Sequence, residues 1–310
     1  MYTLIEIFDA KQYENIITPL SLKGISKLIY VGTKEVMTKE LIENLKSFFT
    51  QKKFKVPVEI LFVERDNSSS IINRFTQIVQ QNQNCIFDVT GGEDVVLSCV
   101  GIVAERFDVP IVRLNVENCT PCVIYGNNLE LSVTCPSFTV DDFITLQGGR
   151  ILRHDTVSHL TYEEAEDIRE LFKVNAEDCE AYSSFCNIIC EFISEDRKHI
   201  KLNKTDYQRK RERSRFNIDR ILKMLIEKAL LIKQSEDDRV VCYVAKSSVV
   251  IRCLLKSGNV LEYYTALAAA SLPDCFSDIR VGVNVEWDIS KNFYETQNEI
   301  DVTAVCGSTK

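Results

Sequence analysis

The sequence predicts an α/β protein in three parts: a doubly wound parallel sheet, a helical module, and a smaller α/β segment. Three observations support this. Residues 1 to about 118 alternate short apolar runs with amphipathic stretches of helical period. Three longer amphipathic patterns fill the middle of the chain, and strand-like runs return among acids beyond Lys256.

In the first part, strands are expected at 3–8, 27–31, 58–63, 85–89 and 110–114, with helices at 38–50, 69–81 and 93–107. Such alternation means βαβ units, whose ligands bind outside the carboxyl ends of the strands. At that edge the run Cys85-Ile86-Phe87-Asp88-Val89 stops at Thr90-Gly91-Gly92, and a helix opens on Glu93-Asp94. Glycines let the backbone approach a ligand, and the N–H groups of a helix start favour an anion. The same glycines also serve as a plain strand-to-helix connection. Gly32-Thr33, directly after Leu28-Ile29-Tyr30-Val31, falls at the same edge. Glu93 and Asp94 suit a helix N-terminus, but they would repel a phosphate unless they point away or meet hydroxyls.

Residues 122–134 read as a hairpin around Gly126-Asn127-Asn128, after which the chain leaves the sheet through 138–146 and turns at Gly148-Gly149. A first boundary is placed near 150, giving parts at 1–150, 151–250 and 251–310. Helices are expected at 161–172, 179–193 and 216–230. Strands at 231–233 and 240–244 then flank Ser235-Glu236-Asp237-Asp238-Arg239. Helices followed by a polar-tipped hairpin suit a winged-helix-like module, or equally a connector joining two copies of the chain. The run from Lys198 to Arg215 includes Arg209, Lys210, Arg211 and Arg213; it is a solvated face or the local candidate for nucleic-acid phosphates.

Composition narrows the function. The chain is 45% hydrophobic and 26% charged with net charge −8, which fits a folded protein and not one that coats nucleic acid by bulk charge. The first residues, Met1-Tyr2-Thr3-Leu4-Ile5-Glu6, read as a strand and not a leader, and no apolar run is long enough for a membrane span, so a cytoplasmic location is expected. The 12 cysteines are read as reduced thiols. Cys119 and Cys122 form a C-x-x-C without a second pair for zinc, and Cys186 and Cys190, a helical turn apart, are read as packing. His154, His159 and His199 follow no nucleophile pattern. Thr-Gly-Gly after a late strand is not G-x-G-x-x-G, which argues against an NAD-dependent oxidoreductase.

Beyond Ser257 the bases are Arg280, Lys291 and Lys310, outnumbered by acids, so a polyanion would need a bound cation. Gly258-Asn259 opens a helix from 260 to about 271 that carries Glu262, and strands follow at 279–287 and from Glu299-Ile300-Asp301-Val302 to Cys306. Hard carboxylate oxygens favour Mg²⁺ or Mn²⁺, and metal-activated hydrolysis of a phosphodiester would be the chemistry; scattered surface acids are the plainer reading.

Asp88-Val89-Thr90-Gly91-Gly92, Leu261-Glu262 after Gly258-Asn259, and Asn298-Glu299-Ile300-Asp301, in this order, resemble the CRISPR ancillary nucleases. These join an N-terminal CRISPR-associated Rossmann fold (CARF) domain, through a winged-helix-like linker, to a PD-(D/E)xK nuclease. The resemblance implies a Rossmann-like CARF sheet, then a restriction-endonuclease-like α/β domain. It further implies a homodimer that binds a cyclic oligoadenylate, most often the tetra-adenylate, and then cleaves DNA or RNA. Gly32, Thr33, Thr90, Gly91 and Gly92 would line the ligand pocket, while Glu262 and Asp301, with Glu299 on the same strand face, would hold the metal. After Asp301 this fold needs a strand carrying acid-x-Lys. Gly307-Ser308-Thr309 reads as the turn before such a strand, so the 310-residue chain is expected to be incomplete there and to cut weakly or not at all. The alternative is a ligand-responsive transcription regulator that binds DNA through the winged-helix-like module.

Overall fold

The computed structural model describes residues 1–11, 13–115, 120–126, 129–287 and 297–306. The chain divides into two compact units, one built on Met1–Leu152 and the other on Arg153–Val283, with the described residues of 284–306 divided between them.

In the first unit the order is β1 (Tyr2–Ile7), α1 (Glu14–Ser21), β2 (Ile25–Thr33), α2 (Lys39–Gln51), β3 (Val58–Val63), α3 (Ser68–Gln81), β4 (Cys85–Asp88), α4 (Asp94–Phe107), β5 (Ile111–Asn115) and β6 (Thr120–Tyr125). The sheet order is β3-β2-β1-β4-β5-β6, parallel except that β6 runs against β5. Successive strand residues point to opposite faces, so neighbours part company: Leu4, Leu28 and Ile86 pack toward Phe48 and Phe49 of α2. Ile5, Ile29 and Phe87 pack toward Phe75 of α3 and Val100 of α4. Helices thus cover both faces. The strand order reverses between β1 and β4, which opens a crevice at their carboxyl ends.

Two differences from the sequence-based expectation have clear causes. No element was assigned between the first two expected strands, yet α1 forms there despite Ile16, Ile17, Thr18 and Pro19, with Asn15, Ile16 and Thr18 fully buried. The expected hairpin at 122–134 is replaced by pairing of β6 with β5, in which Val123 meets Val112. The return stretch contributes an isolated bridge, Val133 to Leu22. Gly126, at φ +92°, is set by close packing on Pro110, and Asn127 and Asn128 lie outside the described residues. The unit continues through α5 (Val140–Leu146), capped reciprocally by Thr139 and Asp142, and ends within β7 (Gly149–Asp155), whose residues from Arg153 onward belong to the second unit.

The second unit comprises α6 (Tyr162–Glu177), α7 (Cys179–Ile189), β8 (His199–Asn203), α8 (Lys204–Arg213), α9 (Ile218–Glu227), β9 (Leu231–Glu236), β10 (Val240–Ala245), α10 (Ser248–Leu255) and α11 (Asn259–Ala270). The strands β11 (Phe276–Trp287) and β12 (Gln297–Cys306) follow. An antiparallel sheet has the order β8-β10-β9, and a further sheet β12-β11-β7. Its core joins Leu171, Tyr182, Phe185, Ile200, Ile221, Leu225, Val250 and Leu254. The basic run is therefore not one exposed segment. Ile200 and Leu202 alternate inward within it as β8 before α8 begins. The described cysteines are all free; Cys186 is buried in the core, Cys190 is half-buried, and Cys119 lies outside the described residues.

Candidate functional site

At the crevice of the first unit lies a cavity of about 370 Å³, lined by Thr33, Arg65, Asp66, Ile71, Gly92, Glu93, Asp94, Val95 and Val96. Of the five residues expected there, Thr33 and Gly92 face it directly. The glycines have packing reasons of their own. A Cβ on Gly91 would stand 2.5 Å from Cβ of Asp9, one on Gly92 2.3 Å from Cγ2 of Ile7, and one on Gly32 2.8 Å from Sδ of Met37. Gly92 also adopts φ +111°, and its N–H donates to Asp9 Oδ2 at 3.0 Å, which pins the loop to the end of β1.

Thr90 is committed inward. Its N–H and hydroxyl both donate to Asp88 Oδ1, at 2.8 and 2.5 Å, and its oxygen accepts from the N–H of Leu114 at 2.8 Å. Beneath it, Asp88 of β4 stands directly opposite Glu6 of β1, both fully buried. Burial, and then the charge of Asp88, push the Glu6 carboxyl well above the usual carboxylate range. Asp88 is raised less, by burial that its bonds from Thr90 oppose. Both carboxyls are thus pushed toward the protonated form under the loop, Glu6 the more strongly.

Across the cavity, Arg65 follows β3 and Glu93 precedes α4. Arg65 Nε lies 3.1 Å from Glu93 Oε1, and the Thr33 hydroxyl donates to Glu93 Oε2 at 2.7 Å. The first-turn N–H groups of α4 have no intrahelical acceptor and point toward its N-terminal side. The cavity thus combines one guanidinium, the three carboxylates of Asp66, Glu93 and Asp94, and a helix start. Arg65 was not singled out in the sequence, although its place just past Val63 puts it at the same strand-end edge as Thr33.

The second group of expected residues lies in the second unit. Glu262 of α11 is buried, and Lys256, between α10 and α11, sets its Nζ 3.7 Å from Glu262 Oε1 and 3.5 Å from Glu299 Oε1 of β12. Burial raises the Glu262 carboxyl; Lys256 opposes this, while the charges of Asp301 and Glu299 add to it. The three acids thus share one electrostatic neighbourhood with a lysine in it. Gly282, at φ +57° in β11, leaves space beside them: a Cβ there would touch Glu299 Oε1 at 3.7 Å and Glu262 Oε2 at 4.0 Å. The donor set is hard oxygen, suited in kind to Mg²⁺ or Mn²⁺. Among the described residues, however, no three acidic, histidine or cysteine side chains already converge as a metal cage. α11 is held by the next side chain, Tyr263, whose hydroxyl bonds Asp155; Arg252 Nη1 meets the same carboxylate at 2.5 Å. Burial and the Asp155 bond push the Tyr263 hydroxyl up to about 12. Residues 307–310, where a turn before a further strand was expected, lie outside the described residues.

The expected nucleic-acid residues sit on α8 and are largely engaged. Arg209 pairs with Asp206 at 3.1 Å, Lys210 with Glu191 at 2.6 Å and Arg211 with Asp219 at 2.8 Å, while Arg213 is exposed. Among the described residues no helix is long and apolar enough to cross a membrane.

The protein is thus of mixed α/β class, with a parallel-dominated six-stranded sheet, further antiparallel sheets and a polar cavity at the switch point of the first. No protein-family description and no curated protein sequence matches the chain. Among solved structures it shares the fold of protein VC1899 from Vibrio cholerae, at TM-score 0.69 and 15% identity over 98% of this chain and 77% of that one. It also shares the fold of Can2 from Sulfobacillus thermosulfidooxidans, solved in complex with cyclic tetra-adenylate, at TM-score 0.63 and 15% identity over 98% of this chain and 76% of that one. A type III CRISPR defence DNA nuclease activated by cyclic oligoadenylate aligns at TM-score 0.49, 13% identity, over 98% of this chain and 38% of that one, too distant to add to the fold argument.

Proposed function

We propose that the chain is a cyclic oligoadenylate sensor, with cyclic tetra-adenylate its ligand, that gates a metal-dependent nuclease in type III CRISPR defence. The observation that carries this is the switch-point cavity with Arg65 and the start of α4, in a chain that shares its fold with a protein solved with cyclic tetra-adenylate. In this reading residues 1–150 form a CARF domain that pairs with a second copy, 151–250 a winged-helix-like linker, and 251–310 part of a PD-(D/E)xK nuclease.

In the sensor, first-turn N–H groups of α4 and the Arg65 guanidinium receive phosphodiester oxygens, while the buried Thr33 and the loop pinned by Asp9 hold the walls in place. In the effector, Glu262, Asp301 and Glu299 would hold Mg²⁺ or Mn²⁺. That ion supplies a Lewis acid and an activated water for phosphodiester hydrolysis. Lys256 offsets the charge of these acids, and the Asp155–Tyr263–Arg252 contacts keep α11, and so Glu262, in place. No observation on the described residues favours the regulator alternative, in which the basic residues of α8 would meet DNA.

The test is calorimetry with cyclic tetra-adenylate, followed by Mn²⁺-dependent cleavage of DNA and RNA with and without it. Saturable binding of the cyclic ligand, with any cleavage, however weak, dependent on both ligand and metal, supports the proposal. Ligand-independent cleavage, or no binding of any cyclic oligoadenylate, refutes it.

A further inference from the structure

Glu93 is the N-cap residue of α4, yet its carboxylate makes no capping bond to that helix. It turns instead into the cavity, where Thr33 Oγ1 holds one oxygen at 2.7 Å and Arg65 Nε approaches the other to 3.1 Å. This pair bridges two strand-end loops across a space large enough for a ligand, unlike the exposed i,i+3 and i,i+4 pairs that decorate the helices of the chain, such as Lys39 with Glu43. Thr33, at 1% exposure, fixes the carboxylate's position from below.

We propose that Glu93 is a built-in stand-in for the ligand's phosphate: it occupies Arg65 until a phosphodiester displaces it. The proposal rests on the oligoadenylate-binding reading above and deepens it. A guanidinium pairs with a carboxylate and with a phosphate through the same planar donors, so one anion can replace the other on Arg65. The Arg65 side chain is 58% exposed and the pair is solvent-screened, so opening it costs little. The released carboxylate then becomes an acceptor for ribose hydroxyls, which a phosphate lacks. The consequence is a threshold: a ligand must bring a phosphodiester and hydroxyls together to offset the lost pair and the negative charges of Glu93, Asp66 and Asp94 that line the cavity. A ring of ribonucleotides does so, and inorganic phosphate does not.

The experiment is calorimetric titration of the full chain with cyclic tetra-adenylate and, separately, inorganic phosphate, in wild type, Glu93→Gln, Arg65→Ala and the double variant. Glu93→Gln keeps the shape and the Thr33 bond while removing the charge that holds Arg65. It is expected to tighten the cyclic ligand about fivefold, the value of one screened ion pair. Arg65→Ala should weaken binding, and the gain from Glu93→Gln should shrink in the Arg65→Ala background. Glu93→Ala, titrated alongside these, should also tighten the cyclic ligand, and weaker binding by it from folded protein counts against the proposal. A gain as large or larger without Arg65 means simple repulsion and overturns the proposal, as does unchanged or weaker binding by Glu93→Gln, or wild-type phosphate binding as tight as the cyclic ligand. If no form binds a cyclic oligoadenylate, the underlying reading falls and this inference with it.

Discussion

Replacing Glu6 by glutamine should make the protein more stable, and increasingly so as pH rises. Glu6 and Asp88 face each other on β1 and β4 with almost no solvent access, and Asp88 already accepts from Thr90. Burial raises the Glu6 carboxyl, so the folded chain keeps a proton that the unfolded chain releases above about pH 4.3. That proton's contribution to stability is complete below the unfolded value and is lost as pH climbs through the folded one. Inside the window the loss is up to about 1.4 kcal/mol per pH unit for one proton. Glutamine has the same shape, does not titrate, and its amide can donate to Asp88, so the variant escapes the loss. Urea unfolding of both proteins at about pH 5 and about pH 8 measures the gap. A gap that widens toward alkaline pH is expected. Parallel profiles, or a variant less stable throughout, would refute the idea that folding raises the Glu6 carboxyl.

Three further outcomes are expected. Gly92→Ala places a methyl 2.3 Å from Ile7 Cγ2 at φ +111° and should lower the urea-unfolding free energy by about 1–3 kcal/mol. Asp167→Ala removes the buried carboxylate that Lys246 (2.6 Å) and Ser247 (2.7 Å) share at the entry to α10; a loss of roughly 1–3 kcal/mol should appear in thermal or urea unfolding. Mn²⁺ titration followed calorimetrically should show a site in the wild type that Glu262→Gln and Asp301→Ala both abolish, whereas unchanged binding in either variant would remove that residue from the proposed set.

The sheet of the first unit was legible because its strands are buried on both faces and read as continuous apolar runs between helical periods. Leu28-Ile29-Tyr30-Val31 and Cys85-Ile86-Phe87 lie in strands where they were expected. α1 was hidden by Pro19 and three β-branched residues, whose burial against the sheet outweighs their helix propensity. β8 was hidden inside a run of positive charge, because only Ile200 and Leu202 mark it. The order of loops at the strand ends indicated where a cavity would lie, but not that Thr90 would turn inward to Asp88 or that Glu93 would turn toward Thr33 and Arg65. A signal for the buried pair was available: Glu6 interrupts the apolar run Leu4-Ile5-Ile7-Phe8, and an acid inside a central strand needs a partner. Lys256 carried no such signal, because its approach to Glu262 and Glu299 depends on the turn between α10 and α11.

The central claim concerns the switch-point cavity, and calorimetric titration of the full chain with cyclic tetra-adenylate tests it most directly. Saturable binding that Arg65→Ala weakens is the predicted result. The absence of heat with this and every other cyclic oligoadenylate, from protein whose cooperative unfolding shows it to be folded, would contradict it.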